Sequence, residues 1–146
     1  MRADNQNGLV VRAYAAEDEE AVIDLWDRCG LLRAWNNPVK DIDRKLRANS
    51  GWFLVAAVRN HIVGSIMIGY EGHRGWINYL AVDPSQRRQG VGRRLMEQAE
   101  ALLRSAGCPK INLQVRSSNK EAAGFYASLG YTQDDVISLG KRLDPD

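Results

Sequence analysis

The sequence has few of the residues that bind metals or form disulfides. It contains two cysteines, Cys29 and Cys108, and two histidines, His61 and His73, in a chain of 146 residues. Their spacing matches neither a zinc motif nor a CxxC redox motif. We therefore expect no metal site, and we interpret the two thiols as buried or incidental.

Long apolar runs and an excess of charge are also missing. No apolar stretch approaches the roughly 20 residues that span a bilayer, and the polar residues 1–8 lack the apolar core of a secretory signal. The net charge is only +2, which does not suggest a nucleic-acid partner. We expect a cytoplasmic protein without a membrane or nucleic-acid partner. Residues 1–8 should be disordered or loosely attached, and residues 9–146 should form one domain.

Apolar periodicity predicts four helices and six or seven strands. The helices are predicted over Glu17–Cys29, Pro38–Asn49, Val91–Gly107 and Lys120–Leu129. The strands are predicted over Leu9–Tyr14, Trp52–Val58, Ile62–Tyr70, Trp76–Val82 and Lys110–Arg116, with one or two more from Tyr131 and Val136–Leu143. The second to fourth strands form an antiparallel meander, and a right-handed crossover makes the fifth parallel to the fourth. The predicted fold is α/β (α+β), with a mixed central sheet flanked by four helices.

A basic loop with two glycines joins the fourth strand to the longest helix. It reads Gln86-Arg87-Arg88-Gln89-Gly90-Val91-Gly92 and is followed by Arg93. The first N–H groups of a helix have no intrahelical acceptor, and the helix dipole places partial positive charge there. The glycines leave room for a phosphate at the backbone, and the arginines add charge. The loop contains neither GxxxxGK[ST] nor GxGxxG. We predict a pyrophosphate bound by the N–H groups of Gln89 to Arg93.

Two motifs together resemble a known family. The first is the pattern Arg87-x-x-Gly90-x-Gly92, and the second is the segment 119–131, NKEAAGFYASLGY. With the element order β-α-α-β-β-β-α-β-α-β, they resemble the GNAT superfamily of acyl-CoA-dependent N-acetyltransferases over nearly the whole chain. Segments 32–38, 72–75 and 138–143 also resemble the small bacterial YpeA-type subgroup.

The resemblance implies acetyl-CoA as co-substrate, bound where the fourth and fifth strands splay apart, and it implies no metal. The pantetheine amides would pair with the backbone of Leu80 and Val82, and Asn119 would contact the pantetheine arm. Asn119 can also serve as a helix N-cap, and Phe125 as a core aromatic. The implied cofactor-binding residues are Leu80, Ala81, Val82, Arg87, Arg88, Gln89, Gly90, Val91, Gly92, Arg93, Asn119 and Phe125.

Amide formation sets the chemical requirements. An alkyl amine with a pKa of about 10 is mostly ammonium at pH 7, so a base is useful. Attack on the thioester builds an oxyanion, which the N–H group of Leu80 or Ala81 can stabilise. The thiolate that leaves needs a proton, and the resemblance points to the Tyr126 hydroxyl as its general acid. The predicted reaction is direct transfer of an acetyl group to a primary amine.

The base and the acceptor are less well marked by the sequence. Glu71, at the end of the third strand, is the first candidate for the base, and its rivals are Tyr79, His73 and Asp83. The acceptor side is assigned to Arg33, Trp35, Asn36, Tyr70 and Tyr79. Arginines there suit an acceptor with a carboxylate, although salt bridges between helices explain Arg33 equally well. The acceptor is a small-molecule or peptide amine, and the protein is a monomer or homodimer.

Two other functions fit the same motifs. The chain can be a binding module that holds acyl-CoA without chemistry, and only product formation separates that function from an enzyme. The arginine loop can instead contact nucleic acid, which would give binding a steep salt dependence.

Overall fold

The computed structural model describes residues 8–146 of the chain. Apart from Gly8, the predicted N-terminal segment 1–8 therefore lies outside the described residues. Within this range the strands are β1 (Leu9–Ala13), β2 (Phe53–Val58), β3 (His61–Tyr70), β4 (Gly75–Val82) and β5 (Ile111–Leu113). The α-helices are α1 (Glu19–Arg28), α2 (Pro38–Asn49), α3 (Val91–Ser105) and α4 (Lys120–Ser128). None of the described helices is long and apolar enough to span a membrane.

The strands form one sheet in the order β1-β2-β3-β4-β5. The first four are antiparallel, and β5 is parallel to β4 after the crossover through α3. Both the meander and the parallel crossover are therefore confirmed. Helix α3 buries Leu95 and Leu103 in a core on one face of the sheet. Helices α1 and α2 bury Trp26 and Ile42 in a second core on the other face.

The sheet has five strands in the described residues, so the prediction of six or seven is wrong. The run Val136–Leu143 forms no strand, and its large apolar side chains are exposed, Leu139 by 86% and Leu143 by 90%. Side chains hold the C-terminal segment instead. Arg142 Nη2 donates to Asn36 Oδ1 at 2.8 Å, and Ser138 contacts Gln114. Since β5 is only three residues long, it offers a short edge for further pairing.

Strand β4 has two irregularities that shape the site. Its pairing with β5 starts at Gly75 and Ile111 and ends at Ile77 and Leu113, while β4 itself continues to Val82. The two parallel strands therefore separate along the second half of β4. In addition, one extra residue sits opposite β3 between Asn78 and Ala81, where the register shifts. This is a β-bulge.

Candidate active site

The free edge of β4 presents backbone N–H groups to the gap. The N–H of Asp83 donates to Val63 O at 2.8 Å, and Ala81 pairs with Ser65 in the same register. Hydrogen-bonded pairs alternate along antiparallel strands, so the N–H of Ala81 faces β3. The N–H groups of Leu80 and Val82 then face the gap. The N–H groups of Leu80 and Ala81 were both predicted to stabilise an oxyanion. Only that of Leu80 points into the gap, so it is the better placed of the two.

The basic loop leads into α3 through left-handed backbone. Arg88 has φ +65° and Gly90, the N-cap, has φ +82°. A Cβ added at Gly90 would meet no atom within 4 Å, so glycine serves the backbone conformation there. The first helical bond runs from Arg94 N to Gly90 O at 2.9 Å. The N–H groups of residues 91–93 belong to the first turn and have no intrahelical acceptor, as an anion site requires.

Gly92 has a different role from the one predicted. It is buried, and a Cβ built there would lie 3.1 Å from Phe125 Cζ and 3.5 Å from Val82 Cγ2. The missing side chain makes room for the Phe125 ring of α4, not for a phosphate. Gly92 therefore fixes how closely α4 packs against the loop.

The loop is bordered by charged and polar groups from other elements. Arg87 Nη1 lies 3.8 Å from Glu121 Oε1 on α4. Cys29, at the end of α1, donates from Sγ to Val82 O at 3.2 Å. Burial raises the pKa of the Cys29 thiol, which keeps it protonated. Cys29 thus acts as a small half-buried residue at the end of β4, in agreement with the sequence interpretation.

Helix α4 carries both residues assigned to it. Asn119 is its N-cap, since Asn119 Oδ1 accepts the N–H of Ala122 at 3.0 Å. Tyr126 contacts Phe125 and Tyr131 edge to face, with ring centroids 5.2 Å and 5.9 Å apart. Burial raises the pKa of Tyr126 to about 12. Among residues 8–146 its hydroxyl has no hydrogen-bond partner, so it is a protonated donor available to a ligand.

Tyr126 opens on a cleft beside the separated strands. The cleft is lined by the outward side chains of β4, by β5 and the residues after it, by α4 and by the C-terminal segment. Trp76 and Asn78 are the β4 residues that line it. Tyr126 therefore borders the same open space as Trp76 and Asn78 in the first half of β4.

Glu71 and His73 lie in the turn between β3 and β4. Glu71 Oε1 accepts the N–H groups of His73 and Arg74, the latter at 3.0 Å. These bonds lower the pKa of Glu71. The turn closes at Gly75, which is five residues from Leu80, or about 17 Å along a strand. Glu71, the first candidate for the base, therefore caps a turn at the end of β4 that is far from Leu80.

The other two candidates for the base are also engaged. Asp83 forms an ion pair with Arg28 and accepts the N–H of Ser85 at 2.9 Å, and its pKa is lowered by these hydrogen bonds against the opposing effect of burial. The Tyr79 hydroxyl donates to Asp41 Oδ2 at 2.7 Å. Burial, followed by this bond, raises the pKa of Tyr79 well above its usual range. Tyr79 is therefore protonated and cannot take a proton without passing one on.

The structure separates the residues assigned to the acceptor side. The Arg116 guanidinium lies 5.5 Å from the centre of the exposed Trp35 ring, which links the α1–α2 loop to the segment after β5. Asn36, in the same loop, accepts from Arg142, and Arg33 is exposed. Tyr70 instead approaches Gly107 O at 3.4 Å, beyond the end of α3. The Tyr70 hydroxyl thus lies beside the β3–β4 turn, where it also approaches Gly72 O at 3.3 Å.

Three residues beside the bulge escaped the sequence interpretation. They are Asp41 of α2, Trp26 of α1 and Ser65 of β3. Ser65 is fully buried within an apolar strand, and such a serine is the only signal that the sequence offered. No group of His, Cys, Asp and Glu that can hold a metal is found among the described residues.

Solved structures of acetyltransferases share this fold. Ard1 from Thermoplasma volcanium matches with a TM-score of 0.72 and 25% identity, over 85% of this chain and 82% of that chain. The PaiA N-acetyltransferase from Thermoplasma acidophilum, solved in complex with coenzyme A, matches with a TM-score of 0.77 and 18% identity. That match covers 89% of this chain and 93% of the other. At this identity the second likeness concerns the fold alone.

Sequence comparison gives the family. The model of the acetyltransferase (GNAT) family matches residues 17–131. An acetyltransferase of Pectobacterium atrosepticum is 49% identical over 138 residues, which cover 94% of this chain and 98% of that protein. The matched range includes the basic loop, the separated strands and α4. The chain therefore belongs to the acetyltransferase (GNAT) family, and it is an acyltransferase.

Proposed function

We propose that the protein transfers the acetyl group of acetyl-CoA to a primary amine. The observation that carries this proposal is the gap beside the second half of β4. Its edge presents the N–H groups of Leu80 and Val82, the N-terminus of α3 lies beyond one end, and Tyr126 borders the cleft along the first half of the strand. This arrangement suits a ligand with a pyrophosphate at one end, amides in the middle and a thioester at the other.

The chain's own groups fit each part of that ligand. The first-turn N–H groups of α3 and the arginines 87, 88 and 93 suit the phosphates. The carbonyl of Leu80 and the N–H of Val82 would pair with the pantetheine amides, and acetyl-CoA supplies an activated thioester. The N–H of Leu80 would stabilise the oxyanion that forms on attack. The Tyr126 hydroxyl would donate a hydrogen bond to the departing sulfur.

We propose Tyr79 and Asp41 as the route for the proton that the amine loses. Tyr79 sits at the bulge next to Leu80, and its hydroxyl already donates to Asp41 Oδ2 at 2.7 Å. The Tyr79 oxygen would accept the amine proton as its own proton passes to the Asp41 carboxylate. Glu71, which caps the distant turn, would then stabilise that turn and take no part in the reaction.

Asp41→Asn should lower kcat/KM at pH 7 by about 10²-fold, the usual contribution of a general base. The amide cannot accept the relayed proton. The loss should shrink as pH approaches about 10, where the amine is neutral without help. A pH profile of kcat/KM measures both effects. Asp43→Asn on the same helix is the matched control, since Asp43 is exposed and pairs only with Arg47 among the described residues. Equal profiles for wild type and Asp41→Asn would remove Asp41 from the reaction.

The proposed acceptor is a small molecule or a peptide with a free amine. The exposed Arg33 and Arg116 beside Trp35 suit an acceptor that also carries a carboxylate. The free thiols of Cys29 and Cys108 suit a reducing compartment, which supports the cytoplasm as the site of action.

Turnover of acetyl-CoA with a panel of amines tests the proposed function. Free thiol released by the wild-type protein should rise in step with acetylated product, which mass spectrometry detects. CoA binding without product from any amine, including peptides with free N-termini, would favour an acyl-CoA-binding module. Binding of DNA or RNA that weakens steeply with salt, and with which CoA does not compete, would point to the third function.

A further inference from the structure

The bulge residue Tyr79 has a backbone conformation that its side chain disfavours. Its φ is +51°, in the left-handed region that large residues rarely occupy. Such a conformation persists only where surrounding contacts hold it, and it concentrates at functional sites. Tyr79 also directly precedes Leu80, whose N–H group faces the gap. What holds Tyr79 therefore sets the direction of that N–H group.

Three contacts from other elements hold Tyr79. Ser65 Oγ donates to Tyr79 O at 2.8 Å. The Trp26 ring stacks on the Tyr79 ring with centroids 3.8 Å apart and planes 14° apart. The Asp41 carboxylate accepts a hydrogen bond from the Tyr79 hydroxyl at the far end of the side chain. The carbonyl, the ring and the hydroxyl are thus each fixed separately.

Of the three residues that hold Tyr79, Ser65 is the one that hydrogen-bonds to its backbone carbonyl. It is fully buried, as is Trp26, whose Nε1 donates to Ser65 Oγ at 2.9 Å. A serine hydroxyl has a single proton. Because the Trp26 N–H occupies a lone pair of the oxygen, the serine proton is directed at the Tyr79 carbonyl. In a regular strand that carbonyl would pair with the backbone of a neighbouring strand, and here a side chain takes that place.

We infer that Ser65 is a positioning residue for the cofactor: its hydroxyl holds the β4 bulge in the shape that turns the backbone of Leu80 and the N–H of Val82 toward pantetheine. The inference rests on the proposed binding of acetyl-CoA along β4. It predicts that Ser65 governs affinity for the pantetheine arm and not for the phosphates, because the loop at the start of α3 is held by other contacts.

The test compares two probes by calorimetry on Ser65→Ala. CoA carries the pantetheine arm, whereas adenosine 3′,5′-bisphosphate engages only the loop. Ser65→Ala should raise the Kd of CoA at least tenfold and leave the Kd of adenosine 3′,5′-bisphosphate within about twofold. Ile68→Val is the matched control, since it removes one buried methyl group from the same strand, in the core on the face of the sheet opposite Tyr79. Its CoA affinity should stay within about threefold of wild type.

Several outcomes would overturn the inference. Unchanged CoA affinity in Ser65→Ala would do so, and so would equal weakening of both probes, which indicates general loosening. Should Ser65→Ala not fold, Ser65→Cys retains a weak donor of similar size and must show a smaller shift confined to CoA. Wild-type protein that fails to bind CoA would overturn the proposed function as well, whereas wild-type binding with an unaffected Ser65→Ala overturns only the role of Ser65.

Discussion

Replacing Tyr126 with phenylalanine is expected to lower kcat by about 10²- to 10³-fold, the usual cost of removing one donor to a developing negative charge. The pKa of Tyr126 is about 12 because of burial. A thiol has a pKa of about 8.5, so full proton transfer to the thiolate would be uphill by about 5 kcal/mol. The role proposed for the hydroxyl is therefore mainly a hydrogen bond to the sulfur as the charge develops. Steady-state kinetics with saturating amine measure the effect.

The pH dependence distinguishes this role from that of a titrating acid. With a pKa of about 12, Tyr126 stays protonated from pH 6 to pH 10. The ratio of wild-type to Tyr126→Phe rates should therefore be constant over that range, while both rates rise as the amine loses its proton. Tyr131→Phe is the control, because the Tyr131 hydroxyl is already bonded to Glu100 Oε2 at 2.7 Å. A full wild-type kcat in Tyr126→Phe, with chemistry rate-limiting, would exclude the role.

The sequence predicts the parts of the fold that local signals govern. Asn37 and Pro38 marked the start of α2, and Asn37 Oδ1 does accept the N–H of Lys40 at 3.1 Å. The apolar period of Val91, Leu95 and Leu103 marked α3, and all three are buried. A cap and a helical stripe each depend on residues within a few turns of one another, so their pattern is complete in the sequence.

The bulge depends on distant residues and is not predictable in this way. Tyr79 adopts a positive φ because contacts from Trp26, Asp41 and Ser65 hold it, and these residues come from three other elements. The sequence alone predicts an unbroken strand over Trp76–Val82. The distance of Glu71 from the gap is likewise not readable from the sequence, since it depends on where β5 stops pairing.

Composition misled the interpretation at the C-terminus. The apolar content of Val136–Leu143 is that of a strand, yet a strand also needs an edge with which to pair. Pairing of β5 ends at Leu113, and the C-terminal segment continues to the α1–α2 loop, where Arg142 donates to Asn36. Whether Val136–Leu143 forms a strand therefore depends on a free pairing edge, which exists only once the sheet is assembled.

Gly92→Val should lower kcat/KM for acetyl-CoA by about 10²-fold, the effect of moving a catalytic group by about 1 Å. A Cβ at this position would lie 3.1 Å from Phe125 Cζ, and the valine methyl groups extend further. Phe125 must move, and Tyr126 is the next residue on α4. Overpacking should also reduce the free energy of unfolding by about 1–3 kcal/mol. Kinetics and urea denaturation measure the two effects.

Two control variants show whether packing against Phe125 is the cause. In Gly124→Ala the new Cβ meets no atom within 4 Å, so an alanine inside α4 should preserve activity and add up to about 1 kcal/mol of stability. Combining Gly92→Ala with Phe125→Leu should recover activity that Gly92→Ala alone loses, because the shorter side chain vacates the space that the methyl group enters. Independent effects of these two changes would contradict the packing role, since residues in contact should couple. Gly92 would then act at the phosphate, as its place in the loop first indicated.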